Sequence, residues 1–146
     1  MKTIFIETYG CAANQNNSEI ISGLLTQSGN IITTNEELAD IIIINSCVVK
    51  GKTEQKIKRR IQDLKPFAKK KNKLLIISGC MAQTNAKQLL KLNPNIIFLG
   101  TNHYKEISNL IKDHQENKLD FEKQDYYLSE TKESKLNLPK LPINKL

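Results

Sequence analysis

Three cysteines are the residues of this sequence best suited to chemistry, because each follows the end of an apolar segment. They are Cys11, Cys47 and Cys80. The segment before Cys47 contains four consecutive isoleucines, 41–44, and such β-branched runs are typical of a strand covered on both faces of a parallel sheet. Segments 2–6 and 74–77 precede the other two cysteines in the same way. This threefold repetition predicts that three strand ends bring three thiols to one place.

Three soft thiolates without a paired histidine favour an iron–sulfur cluster or copper over hard cations. Structural zinc prefers four ligands, usually in Cys-x-x-Cys pairs, whereas the three cysteines here are far apart in the sequence. Glycine precedes Cys11 and Cys80, and serine precedes Cys47, so the backbone can approach a bulky inorganic core. A cubane cluster held by three protein thiolates leaves one iron open, and such a site can perform chemistry.

Two other interpretations fit the same three residues. Buried cysteines behave as small hydrophobic side chains, and three of them at strand ends can simply fill a core. Alternatively Cys11, in the longest polar loop, is the best candidate for a nucleophilic thiol. The spacing of the cysteines alone leaves all three interpretations open.

Strands alternate with amphipathic helical segments, a pattern that predicts βαβ units and a parallel sheet. The expected fold class is α/β, a flavodoxin- or Rossmann-like three-layer domain with a five-stranded parallel sheet in the order 2-1-3-4-5. Strands 1, 3 and 4 are neighbours in that order, and they are the strands followed by cysteines. With strands about 4.8 Å apart, the three loops span roughly 10 Å at the carboxyl edge, where open α/β sheets bind ligands. The strands are expected at 2–6, 31–33, 41–45, 74–77 and 96–100.

Helices are expected between these strands. Ser18 is the predicted N-cap of the first helix, after a polar loop at 12–17, and Thr53 and Thr84 cap the next two. Pro66 is expected to end or kink the second helix. The last helix is expected to begin near Asn102.

Composition describes a globular chain with its own core. Of its 146 residues 39% are hydrophobic and 25% charged. There is no apolar stretch long enough for a membrane span and no signal-peptide pattern at the N-terminus, so the chain is expected to be cytoplasmic with reduced thiols. Residues 1–117 are expected to form one domain, and 118–146, with two prolines, a charged linker.

Positive charge is concentrated in one segment. The chain has a net charge of +7, and segment 50–73 is strongly basic while the remainder is slightly acidic. Contact with RNA phosphates is one interpretation, and a solvated helix face is the other. The candidate RNA-binding residues are Lys56, Lys58, Arg59 and Arg60. His103 and His114 are expected at the surface. Asn14 and Asn45 flank cysteines, and they are expected either to bond cluster sulfides or a substrate, or to order a loop.

Three motifs surround the three cysteines. They are Thr8-Tyr9-Gly10-Cys11-Ala12-Ala13-Asn14 with Ser18-Glu19, Ala39-Asp40 with Asn45-Ser46-Cys47-Val48-Val49-Lys50, and Gly79-Cys80-Met81-Ala82-Gln83. In this order and at these intervals they resemble the motifs of the N-terminal domain of the radical-SAM methylthiotransferases. The resemblance covers residues 1 to about 115, and it favours the cluster over the other two interpretations.

The resemblance implies that Cys11, Cys47 and Cys80 hold a [4Fe-4S] cluster implicated in sulfur donation, and it assigns no catalytic side chain. S-adenosylmethionine and a second [4Fe-4S] cluster are expected on a radical-SAM domain outside this sequence, because no Cys-x-x-x-Cys-x-x-Cys signature is present. The expected partners are that domain, a C-terminal RNA-binding domain and the tRNA anticodon stem-loop, with no membrane. The chain is expected to be a monomer, to be a separated first domain or a naturally short relative, and to be inactive alone.

Within that family, Val49-Lys50 and Thr53-Glu54-Gln55 are most similar to the archaeal and eukaryotic branch. Leu138-Pro139-Lys140 resembles that branch's approach to its radical-SAM domain. The branch converts N6-threonylcarbamoyladenosine-37 of tRNA to its 2-methylthio derivative, which is the expected function of the full-length protein. Sister branches modify isopentenyladenosine in tRNA or an aspartate of a ribosomal protein. A non-catalytic α/β module that binds RNA or a partner is the alternative outside the enzymes.

Overall fold

A computed structural model describes residues 2–10, 12–46, 52–70, 72–79, 87–100 and 106–116, without the side chains of 12–14, 52 and 115. The strands are β1 (Thr3–Tyr9), β2 (Ile31–Ile32), β3 (Ile41–Ser46), β4 (Leu74–Gly79) and β5 (Ile96–Leu99). The helices are α1 (Ala12–Gln27), α2 (Lys52–Asp63), α3 (Lys65–Lys69), α4 (87–92) and α5 (Ile107–Gln115), and Glu36–Leu38 form a 3₁₀ turn.

The five strands form one parallel sheet in the order β2-β1-β3-β4-β5. This arrangement confirms the α/β fold class and the strand order predicted from the sequence. The order reverses between β1 and β3, so the carboxyl ends of these two strands border the crevice where open α/β sheets bind ligands. β4 lies on the other side of β3, and the strands followed by cysteines are therefore adjacent.

Two apolar layers cover the sheet, one on each face. Ile42 and Ile44 pack against α2 and α3, whereas Ile41 and Ile43 pack against α1 and α5. Side chains alternate between the faces of a strand, so a run of four isoleucines satisfies both layers at once. Within the described part of the chain, no helix is long and apolar enough to cross a membrane.

The first helix begins earlier than the sequence predicts. α1 starts at Ala12, so the segment expected to be a polar loop is helical and Ser18 lies inside the helix. Gln15 and Asn16 are exposed, and their polarity suits the solvent side of a helix as well as it suits a loop. The Ser18 hydroxyl is buried and bonds strand residues, which is why it does not serve as a cap.

Other boundaries differ less from the prediction. β1 continues through Tyr9 and β4 through Gly79, so both strands extend further toward the cysteines than expected. α2 ends at Asp63, and Pro66 lies in the first turn of α3, where its missing N–H costs nothing. This confirms the expected interruption at Pro66. The predictions for Thr84, Asn102, His103 and the linker 118–146 concern residues outside the described ranges.

Candidate functional site

The carboxyl edge of the sheet carries two rows of aligned residues. Tyr9, Ser46 and Gly79 are register partners across β1, β3 and β4, and they form the outer row. Directly behind it, the row of small polar residues is Thr8, Asn45 and Ser78. In the sequence, Cys11 comes two residues after Tyr9. Cys47 and Cys80 directly follow Ser46 and Gly79.

Cys11, Cys47 and Cys80 themselves lie outside the described residues, and their assignment as cluster ligands stays a prediction. Within the described ranges, no group of three or more histidine, cysteine, aspartate or glutamate side chains is placed to hold a metal ion. The structure therefore describes the site through the strand ends that precede the cysteines in the sequence.

Glycine conformations shape this edge immediately before two of the cysteines. Gly10 has φ 126° and Gly79 has φ 92°, a region that residues with a Cβ rarely adopt. A Cβ at Gly79 would lie 2.1 Å from the carbonyl oxygen of Ser46 and 2.9 Å from Oδ1 of Asn45. The backbones of β3 and β4 therefore meet where only glycine fits, directly before Cys80.

A buried hydrogen-bond network ties the inner row to α1. The hydroxyl groups of Thr8 and Ser18 are 2.6 Å apart, and Nδ2 of Asn45 donates to Oγ of Ser18 at 2.9 Å. Oγ of Ser78 donates to Oδ1 of Asn45 at 3.3 Å. Both ends of the Asn45 amide are thus used inside the protein. Of the two roles expected for Asn45, the geometry favours the structural one.

Ser46 differs from its polar neighbours. Its side chain is fully buried, and among the described residues its Oγ has no hydrogen-bond partner. Ser46 is on the face of β3 that also carries Ile44, toward α2. A buried hydroxyl of this kind, one position before Cys47, fits an acceptor bound at the edge. The Ser46 hydroxyl and the positive-φ residues Gly10 and Gly79 are compatible with an iron–sulfur group at this edge.

A charged cluster lies on the α2 side of the edge. Tyr9 donates its hydroxyl proton to Glu7 at 2.8 Å, and Nε of Arg60 donates to the same carboxylate at 2.7 Å. Arg60 also pairs with Glu36. Burial, then the hydrogen bond to Glu7 and its charge, raise the pKa of Tyr9 to about 12. The Tyr9 phenol therefore stays protonated and is committed to Glu7.

The four residues predicted to contact RNA have different surroundings. Arg60 is held between two carboxylates, and Lys58 pairs with Glu54 at 3.2 Å within α2. Nζ of Lys56 lies 5.9 Å from the centre of the Tyr9 ring, and Arg59 is exposed. RNA binding by these residues stays a prediction, and Lys56 and Arg59 are the two of the four whose side chains are exposed.

The amino edge of the sheet has its own ionisable groups. Burial alone would raise the pKa of Asp40, but hydrogen bonds from Thr3 and Lys73 and nearby ammonium charges outweigh it, so the pKa is lowered. His114 is half-buried, contrary to the surface position expected from the sequence. Burial and the charge of Lys2 lower its pKa, against a hydrogen bond with the Asn72 backbone that raises it.

The sequence prediction missed the Thr8–Ser18–Asn45–Ser78 network and the isolated Ser46 hydroxyl. One signal was available, since small polar residues follow the apolar run of every strand that leads to a cysteine. Their register partners on three strands show that this signal marks one continuous edge.

Comparisons with known proteins find one matching family and several curated relatives. Residues 3–100 match the family described as "Uncharacterized protein family UPF0004". The chain is 43% identical over 113 residues to a tRNA-2-methylthio-N(6)-dimethylallyladenosine synthase of Karelsulcia muelleri, covering 75% of this chain and 24% of that protein. The protein of the same name in Petrotoga mobilis is 37% identical over 143 residues, covering 97% of this chain and 32% of that protein.

A relative with a different name matches a shorter segment. It is a probable threonylcarbamoyladenosine tRNA methylthiotransferase of Pyrococcus horikoshii, 42% identical over 85 residues, or 58% of this chain and 19% of that protein. The chain thus spans about a quarter of the length of the curated relatives that it matches. Among solved structures, a short-chain flavodoxin aligns with 90% of this chain and 78% of its own, at 14% identity and a TM-score of 0.43.

Proposed function

Since this chain belongs to the uncharacterized protein family UPF0004, we propose that it forms the cluster-bearing N-terminal domain of a tRNA methylthiotransferase. The names of its relatives support the activity of the whole protein. One observation carries the assignment of the site. Three adjacent strands end at one edge, and each leads within two residues to a cysteine.

Cys11, Cys47 and Cys80 are the proposed ligands of one [4Fe-4S] cluster. Cys47 and Cys80 are bonded to Ser46 and Gly79, which are register partners, and consecutive Cα atoms are about 3.8 Å apart. The residues that precede these two cysteines are therefore neighbours at the edge, and the third cysteine follows Gly10 at the end of the adjacent strand in the sequence. When bound, a cluster held by three thiolates supplies one iron at which exogenous sulfur can bind.

The other residues of the edge join the strand ends to the helices. The buried network of Thr8, Ser18, Asn45 and Ser78 fixes three strand ends against α1. On the other face, Glu7 and Arg60 join the end of β1 to α2. The side chains described here bind and orient, and none of them is assigned a proton-transfer role.

The remaining chemistry belongs to other parts of the full-length protein. Attaching sulfur to an unactivated aromatic C–H bond requires a radical, which in this proposal comes from reductive cleavage of S-adenosylmethionine at a second [4Fe-4S] cluster. All three cysteines of this sequence are assigned to the first cluster, so the second cluster needs thiolates from elsewhere. The 146-residue chain alone is therefore expected to form neither 5′-deoxyadenosine nor methylthiolated nucleoside.

Two N6-modified adenosines are candidate substrates. The motif residues Val49-Lys50 and Thr53-Glu54-Gln55 support N6-threonylcarbamoyladenosine. The names of the Karelsulcia and Petrotoga relatives support N6-dimethylallyladenosine. Sequence identity to the relatives does not distinguish the two substrates, because relatives with the two different names are 43% and 42% identical to this chain. In either case the anticodon stem-loop of tRNA is the proposed partner, with Lys56 and Arg59 binding its phosphates.

Mass spectrometry of tRNA nucleosides tests the proposed function and selects the substrate. Disruption of the gene in its own cells should remove one 2-methylthioadenosine derivative and leave its precursor, which identifies the branch. The intact gene should restore the derivative, and a gene carrying Cys47→Ala should not. Unchanged levels of every methylthiolated nucleoside after disruption would refute a role in tRNA methylthiolation.

A further inference from the structure

Ser46 has an unused hydrogen-bonding group in the interior. Its exposure is 0%, and its Oγ is without a partner among the described residues. Buried polar groups in folded proteins are nearly always hydrogen-bonded. An exception at the candidate site therefore indicates an acceptor that is not one of the described protein groups.

The neighbouring polar groups at this edge are already occupied. The hydroxyls of Thr8, Ser18 and Ser78 bond one another or Asn45. The phenol of Tyr9, which is the register partner of Ser46, donates to Glu7. Among these side chains, the hydroxyl of Ser46 alone has no hydrogen-bond partner in the described part of the chain.

Ser46 is next to one proposed ligand in the chain and pairs with the residue that precedes another. Ser46 is bonded to Cys47, and its carbonyl oxygen occupies the space that a Cβ at Gly79 would need, directly before Cys80. The residue thus lies at the carboxyl end of β3, beside the end of β4, and both strands precede proposed ligands in the sequence. Complete burial excludes water as a competitor and strengthens any hydrogen bond formed there.

We propose that Oγ of Ser46 donates a hydrogen bond to an anionic sulfur of the bound cluster, either a cysteine thiolate or an inorganic sulfide, and raises the cluster's reduction potential. The inference rests on the proposed function, because the acceptor is part of the cluster. A hydrogen bond to sulfur stabilises the reduced cluster more than the oxidised one, since the reduced form carries more negative charge, and such bonds are among the determinants of cluster potentials. Ser46 is in this account a tuning residue and not a catalytic one.

The test compares three variants of the reconstituted 146-residue chain. Ser46→Ala removes the donor, Ser46→Thr keeps it, and Ser78→Ala is the matched control, because Ser78 is an equally buried serine at the same edge whose hydroxyl already bonds Asn45. Redox titration followed by electron paramagnetic resonance measures the midpoint potential. We expect a more negative potential for Ser46→Ala alone, and potentials near wild type for the other two.

Two further measurements separate tuning from support of the fold. In urea unfolding of the cluster-free proteins, Ser46→Ala should be at least as stable as wild type, and Ser78→Ala should be less stable. A merely structural role for Ser46 predicts that Ser46→Ala has reduced stability and an unchanged cluster potential. Resonance Raman spectra in H₂O and D₂O should show a deuterium-sensitive Fe–S stretch that Ser46→Ala lacks. A terminal stretch identifies thiolate as the acceptor, and a bridging stretch identifies sulfide.

The outcomes distinguish this inference from the function on which it rests. A wild-type chain that takes up no iron and sulfide overturns both. A loaded wild type and a loaded Ser46→Ala variant with equal potentials overturn the inference and leave the cluster in place. If Ser46→Ala does not load, Ser46→Thr decides: restored loading with a wild-type potential supports the hydrogen bond, and failure of both variants refutes it.

Discussion

Replacing Gly79 with alanine should destabilise the domain more than the same replacement at Gly23 or Gly29. Gly79 has φ 92°, and an added Cβ would lie 2.1 Å from the carbonyl oxygen of Ser46. The left-handed conformation costs a residue with a Cβ about 1–2 kcal/mol. Because the obstacle is backbone in a buried strand, relief requires β3 and β4 to separate, at a further cost of about 1–3 kcal/mol.

The lower entropy of an unfolded alanine chain offsets about 0.4–1 kcal/mol of this cost. The expected decrease in the free energy of unfolding is therefore about 1–4.5 kcal/mol, and its upper end is a large part of the stability of a typical domain. Urea unfolding of the cluster-free chain, followed by circular dichroism under reducing conditions, measures it. A variant that is already unfolded without urea would agree with the upper part of this range.

Two glycines of the same chain serve as controls. Gly29 has a similar φ of 88° but nothing within 4 Å of an added Cβ, so Gly29→Ala reports the conformational cost alone, about 1–2 kcal/mol before the same offset. Gly23 lies in α1 with equally open space, and Gly23→Ala should stabilise by about 0.5–1 kcal/mol. If Gly79→Ala cost no more than Gly29→Ala, the close approach of β3 and β4 at the candidate site would be wrong.

Three further predictions concern charge. Arg60→Ala should lower stability by about 1–2 kcal/mol, because it leaves the half-buried Glu7 carboxylate without its cation, and 1 M salt should shrink the difference from wild type in urea unfolding. His114 has a folded-state pKa below its ordinary value of 6.5, so the unfolded state binds more protons and stability should fall as pH drops below about 6.5; in His114→Gln this decline should be weaker, and an identical pH profile would contradict the assignment. The double variant Lys56→Glu, Arg59→Glu should bind tRNA more weakly. Its plot of log binding constant against log salt concentration should be shallower by about 0.7–0.9 for each phosphate that is no longer neutralised. An unchanged slope would make this surface a solvated helix face.

The sheet could be predicted from the sequence because its strands must be apolar on both sides. Four consecutive isoleucines on β3 and the run 74–77 on β4 fill both core layers, which only a parallel sheet with helices on both faces accommodates. Alternation of strands and helices then suggested the order. The convergence of three strand ends follows from that order, so the location of the candidate site was predictable as well.

The details of the edge could not be predicted, because they depend on interactions between distant segments. Ser18 looks like a helix cap in the sequence, but Asn45 on β3 and Thr8 on β1 bond its hydroxyl inside the protein. Arg60 looks like one cation among many, yet two carboxylates from separate elements hold it. Ser46 and Ser78 both follow an apolar run, but they lie on opposite faces of the sheet, and of the two only the Ser78 hydroxyl has a partner among the described residues.

Cluster content after anaerobic reconstitution tests the central proposal most directly. The wild-type chain should bind about four irons and four sulfides, the composition of one [4Fe-4S] cluster, and show the corresponding visible absorption. Cys47→Ala should lose the cluster at least as completely as Cys11→Ala or Cys80→Ala, because Cys47 follows the central strand of the three. A variant without all three cysteines should bind none. Four irons retained by that triple variant would contradict the account.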